Sequence, residues 1–97
     1  ELHTFSSLNN KFLKEYKGCM NEADIAIVYF SPEAIAHKNL KAITETQVYD
    51  AFGCKDLIVF TDAKNLEIYL KELNWENKNL LMMSSGNFEG MILENIN

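Results

Sequence analysis

Two groups of residues in this chain have types and spacing that could do chemistry. The first is Ser84-Ser85-Gly86-Asn87-Phe88, where the apolar run Leu80-Leu81-Met82-Met83 meets hydroxyls, an amide and a glycine. If such a turn opens a helix, its free backbone N–H groups and the positive end of the helix dipole receive a carboxylate or phosphate. A strand-to-helix turn needs Gly and a capping Ser or Asn even when nothing binds, so that structural reading stands beside the first. The second group is His3, followed by Thr4, Ser6 and Ser7. His3 could exchange a proton near neutral pH or simply be a hydrogen-bonded structural residue. Ser31, Thr61 and Asp62 end two other predicted strands, and Asp62 also suits a helix N-cap. No Ser/His/Asp or Cys/His order, paired-carboxylate motif or metal-ligand spacing is readable. Gly86-x-x-x-Gly90 lacks the G-x-G start of a dinucleotide loop.

The elements that must hold these groups follow from periodicity. Ile25-Ala26-Ile27-Val28-Tyr29-Phe30, Leu57-Ile58-Val59-Phe60 and Leu80-Leu81-Met82-Met83 are continuous apolar runs, as expected of strands buried on both faces of a parallel sheet. Glu1-Leu2-His3-Thr4-Phe5 reads as the tail of a further strand, and the missing initial Met makes a fragment of a longer protein the expectation. Leu8, Phe12, Leu13, Tyr16, Cys19 and Met20 fall on one face of a predicted first helix. Ser31-Pro32 starts the next, Thr44-x-x-Gln47 is a capping box with Gly53 as the stop, and Asp62 caps a helix burying Leu66, Tyr69, Leu70 and Leu73. A short helix is expected over 88–96. Strands alternating with helices predict an α/β chain, a three-layer sandwich with a mainly parallel sheet, in one domain over residues 1–97. In such sheets ligands sit outside the carboxyl ends of the strands, where both groups lie.

Composition narrows the partners. The 97 residues are 47% apolar and 24% charged, ordinary for a folded domain. The net charge is −5 and all nine basic residues are Lys without a run, which argues against nucleic acid. Without Arg, an anion here must be held by backbone N–H groups, hydroxyls, amides or Lys. No apolar stretch reaches the ~20 residues of a membrane span. Cys19 and Cys54, in no CxxC or His/Cys pattern, read as free core thiols in a reducing compartment, so a cytoplasmic location is expected.

Three segments carry a family resemblance. Glu1-Leu2-His3-Thr4-Phe5-Ser6-Ser7-Leu8-Asn9 resembles the place where muramyl (Mur) ligases leave a strand of their C-terminal domain with a His. Ala23-Asp24-Ile25-Ala26-Ile27-Val28-Tyr29-Phe30 is similar to the family's "AD" plus strand. Leu81-Met82-Met83-Ser84-Ser85-Gly86-Asn87-Phe88-Glu89-Gly90 resembles its late "MS-G-F-G" loop. The matches run in order over nearly the whole chain and are nearest to the UDP-N-acetylmuramate branch. Within it the loop favours the murein tripeptide type, which takes L-Ala-γ-D-Glu-meso-diaminopimelate, and the L-alanine-adding type is the alternative.

The resemblance implies a Rossmann-like C-terminal domain of a three-domain ligase acting in peptidoglycan synthesis or recycling. The N-terminal domain of such enzymes holds the UDP-sugar, and the central P-loop domain binds ATP with Mg2+. The C-terminal domain closes over ATP and delivers the amine to an acyl phosphate. By position, His3, Thr4, Ser84, Ser85, Asn87 and Phe88 are implied as substrate-binding, with no catalytic residue or metal ligand in this chain. Thr4 and Ser7 stand where the L-alanine-adding branch typically has two Arg, and the P-loop is absent, so the chain alone is expected to catalyse nothing. The reading from another class is a non-catalytic binding or signalling module with flavodoxin-like winding.

Overall fold

The computed structural model describes residues 1–92, 94 and 96. The apolar run 25–30 forms strand β1, Ile27–Tyr29, and the run 57–60 forms β2, Ile58–Phe60. The two pair in parallel, Ile27 opposite Ile58 and Tyr29 opposite Phe60. Beyond β1 the backbone extends the pairing: Leu2 bridges Phe30 in parallel, and its N–H donates to the Tyr29 carbonyl at 2.9 Å. On the far side of this first segment the Glu1 nitrogen donates to the Met83 carbonyl at 2.9 Å. The lateral sequence is therefore β2, β1, the segment around Leu2, and the end of the run 80–83.

Helices form where local bonds favour them. In α1, Pro32–His37, the Ser31 hydroxyl accepts from the Ala34 N–H and Pro32 takes the first position, where no N–H is needed. Helix α2, Glu45–Phe52, has both halves of its capping box: Thr44 Oγ1 accepts from the Gln47 N–H at 3.1 Å, and Gln47 Oε1 accepts from the Thr44 N–H at 2.8 Å. Gly53 ends it at φ 62°, a left-handed conformation that glycine adopts without a Cβ clash. Helix α3, Ala63–Glu72, starts at Asp62, whose carboxylate accepts from the Lys64 N–H at 2.8 Å. Asp62 thus acts as the cap.

The core has two parts because alternate β1 residues face opposite ways. Val28 and Phe30 pack with Leu8, Leu13, Ile35, Val48 and Phe52, while Tyr29 packs with Leu66, Leu70 and Ile96. Helices α1 and α2 thus serve one cluster and α3 the other. Burying Val48 and Phe52 from α2 contributes about 1.5–3 kcal/mol each.

Several expectations are corrected. The stretch 8–20 is a chain of turns with one 3-10 helix, Leu13–Tyr16, instead of an amphipathic α-helix. The side chain of Asn9 accepts from the Lys11 N–H, the backbone competition that keeps Asn out of helix interiors, and Gly18 sits at φ 82°. Leu8 and Leu13 are buried as expected, but Phe12 and Cys19 are exposed, so Cys19 is not a core thiol; it and Cys54 are both free. The run 80–83 forms no ladder and leaves Leu81 and Met83 exposed, because nothing among the described residues covers these side chains as a doubly buried strand requires. β2 is only half-buried for the same kind of reason, being at the other margin of the described sheet. The helix expected over 88–96 is a 3-10 turn, Phe88–Gly90, in its first part; its positions 93 and 95 lie outside the described residues. The architecture is a small α/β fold with a two-stranded parallel sheet and three α-helices among the described residues. No helix among them is long and apolar enough to cross a membrane.

Candidate functional site

Residues 1–4 leave the sheet beside the end of the run 80–83, so the two groups singled out in the sequence meet although more than 80 positions separate them. Side chains of an extended segment alternate, which puts Glu1 and His3 on one face. The Glu1 side chain is 2% exposed and the His3 ring 36%, with 3.9 Å between Glu1 Oε2 and His3 Nδ1. Burying a carboxylate costs free energy unless its oxygens are satisfied. Here Glu1 Oε1 accepts from the Ser84 hydroxyl and from the Phe88 N–H, the latter at 3.2 Å.

The turn wraps tightly around this carboxylate. The Gly86 N–H donates to Ser84 Oγ at 2.7 Å. A Cβ on Gly86 would fall 2.8 Å from Glu1 Oε1 and 2.8 Å from His3 Cγ, so only glycine fits without displacing one of them. Phe88, Glu89 and Gly90 follow with φ of 52°, 56° and 79°. Left-handed backbone costs a non-glycine residue about 1–2 kcal/mol, so outside contacts must hold Phe88 and Glu89 there. One such contact is the Phe88 ring, stacked on Tyr29 at 6.2 Å with 24° between planes. Burial pushes the Tyr29 phenol up to about 12, helped by the Glu89 and Glu1 carboxylates and opposed by a hydrogen bond with Ser31.

The implied site residues divide into three sets. His3, Ser84 and Phe88 come together around Glu1. Ser85 and Asn87 lie in the same turn, exposed, and Asn87 makes no side-chain cap bond. Thr4 is adjacent but engaged elsewhere: its Oγ1 donates to Ser7 Oγ and accepts from the Ser7 N–H, both at 3.0 Å. Glu1 was missed as a site residue; its place two positions before His3 in an extended segment is the signal that could have found it.

The expected anion site at a helix N-terminus has a different form. The turn leads into a three-residue 3-10 segment, and the Gly86 and Phe88 N–H groups already donate to Ser84 and Glu1. A buried carboxylate therefore lies where an incoming anion was expected, and the local field favours neutral polar groups or amines. An apolar groove of about 330 Å³ runs beside it, with Leu80, Leu81, Met82, Met83 and Phe88 among its lining together with Glu1 and Ser84. No three His, Cys, Asp or Glu side chains among the described residues stand close enough to hold a metal ion. Comparison with family models, with curated proteins and with solved structures finds no match to this chain.

Proposed function

We propose that this chain is part of the C-terminal domain of a Mur ligase of the UDP-N-acetylmuramate branch, and that the edge formed by His3 and the turn 84–88 faces the incoming amine. The observation that carries the reading is the meeting of His3 with Ser84, Gly86 and Phe88 through Glu1 at the ends of neighbouring extended segments. These are the two stretches that bear the family resemblance. Their juxtaposition is what a shared substrate edge requires, and nothing in their separation along the chain demands it.

The lateral sequence supports the finer fold assignment, a Rossmann-like three-layer sandwich. Taking the four segments in chain order, it reads third, second, first, fourth, and the direction reverses beside the first. Crevices that bind ligands in doubly wound sheets open at such a reversal. Flavodoxin-like winding would put the third segment on the opposite side of the first from the second, which disfavours the signalling-module reading.

In this reading the parent enzyme joins an amino acid or peptide, L-Ala-γ-D-Glu-meso-diaminopimelate in the tripeptide type, to UDP-N-acetylmuramate in the cytoplasm. The L-alanine-adding type is the less favoured variant, since Thr4 and Ser7 replace its Arg pair and both are engaged with each other. ATP and Mg2+ are assigned to a P-loop domain outside the chain, whose own residues provide no G-K-[ST] loop. The contribution of this domain is to orient the amine and exclude water from the acyl phosphate. Phosphate release by the intact protein tests the proposal. It should require UDP-N-acetylmuramate and an amine together, and the isolated chain should release none; clear ATP turnover by the isolated chain would sink the assignment.

A further inference from the structure

The buried carboxylate of Glu1 does more than set the local field: His3 and the turn are both built around it. We propose that Glu1 is a positioning residue that clamps the turn 84–90 against His3; its importance for catalysis rests on the function proposed above. Three observations bear on this. Its backbone is fixed on both sides, because the Glu1 nitrogen donates to the Met83 carbonyl and the Leu2 N–H to the Tyr29 carbonyl. Its carboxylate then reaches the start and the middle of the turn at once, through Ser84 and Phe88. Finally, Gly86 lies so close to both that an added Cβ would fall 2.8 Å from Glu1 Oε1 and 2.8 Å from His3 Cγ, so a bulkier residue there displaces one or the other.

The clamp has something to hold. Phe88 and Glu89 occupy left-handed backbone that a free segment would leave, and the Asn87 side chain makes no bond to stabilise the turn from within. A bond between the Phe88 N–H and a charged acceptor offsets part of that tendency. Gln in place of Glu keeps an acceptor oxygen of the same reach, whereas Ala removes both bonds and opens space beside His3.

Nuclear magnetic resonance on this chain is the test. Glu1→Ala should speed exchange of the Phe88 amide by about tenfold or more, the size expected for losing one bond to a charged group. It should also shift the His3 ring nitrogens, while the Val48 and Leu66 amides in α2 and α3 keep their protection. Glu1→Gln should retain most of the Phe88 protection. Gly86→Ala, which leaves Glu1 in place and pushes the turn away, should reproduce the Glu1→Ala changes and add little to them in the double variant. Unchanged Phe88 and His3 signals in Glu1→Ala would overturn the clamp, as would equal loss of protection throughout the fold. If Glu1→Ala does not fold, the Gly86→Ala spectrum decides in the same way. In the intact protein, Glu1→Ala should lower kcat/KM for the amine by about tenfold, leave KM for the UDP-sugar unchanged and be largely rescued by Glu1→Gln. Normal kinetics together with the altered Phe88 and His3 signals would keep the clamp and remove the proposed function instead.

Discussion

Helix α2 and the turn 84–90 solve the same problem of unsatisfied backbone groups in opposite ways. In α2 the caps are local: Thr44 and Gln47 cap each other three residues apart, Gly53 ends the helix, and Val48 and Phe52 bury one face, while the Phe52 carbonyl also accepts from the Gly18 N–H at 3.0 Å. The turn has no side-chain cap at Asn87, runs through three left-handed residues, and takes its acceptor from Glu1, 87 positions from Phe88. The ends of α2 are set by residues 44–53, whereas the turn, beside its internal bonds and the stacking of Phe88 on Tyr29, depends on the opening segment for the acceptor of the Phe88 N–H.

The largest effect is expected in α2. Phe52 is buried and stacks on Tyr16 at 5.1 Å with planes 1° apart. Phe52→Ala should cost about 3–5 kcal/mol, a large share of the stability of so small a domain. Urea denaturation should show a much lower midpoint, and the turn should be lost with the fold rather than selectively. A smaller effect sharpens the contrast. Thr44→Ala removes one local cap and should cost about 1 kcal/mol, read as a modest midpoint shift with the His3 and Phe88 signals unmoved. Movement of those signals would mean that the two regions are coupled more tightly than the contacts indicate.

The least effect at neutral pH concerns Tyr29, the ring that supports Phe88. Its folded value near 12 lies above the ordinary 10.0. A raised phenol favours the neutral form in the fold, so its contribution is fully present below pH 10 and is lost as the pH rises through about 12. Alkaline titration followed by tyrosine absorbance and by circular dichroism should find stability falling in that window. Tyr29→Phe should flatten the fall, and an equal fall in Tyr29→Phe would assign it to other groups.

This contrast also explains what could be seen in the sequence. Ser31, Thr44 with Gln47, Gly53 and Asp62 act as read, because a cap needs only residues within a few positions. The cores of the runs 25–30 and 57–60 became strands for a similar reason, their apolar continuity being a local signal. The stretch 8–20 misled because Asn9 and Gly18 outweigh a hydrophobic stripe of which only Leu8 and Leu13 are buried. The run 80–83 misled because strand status depends on a paired neighbour that apolar composition does not supply. His3, Ser84 and Phe88 were visible as residue types; Glu1 was not, since its role arises from contacts across the length of the chain. Ser85 and Asn87 share the turn but are exposed, and Thr4 is engaged with Ser7.

The half-exposed His3 ring beside Gly86 and the buried Glu1 is the basis for the proposal that His3 faces a substrate and is not a core residue. The most direct measurement is amine-dependent phosphate release by the intact protein carrying His3→Ala, with its thermal midpoint recorded alongside. His3→Ala should raise the KM for the amine, or lower kcat, by about tenfold or more, with the UDP-sugar KM and the midpoint nearly unchanged. Normal kinetics with a markedly lower midpoint would contradict it and make His3 a structural residue.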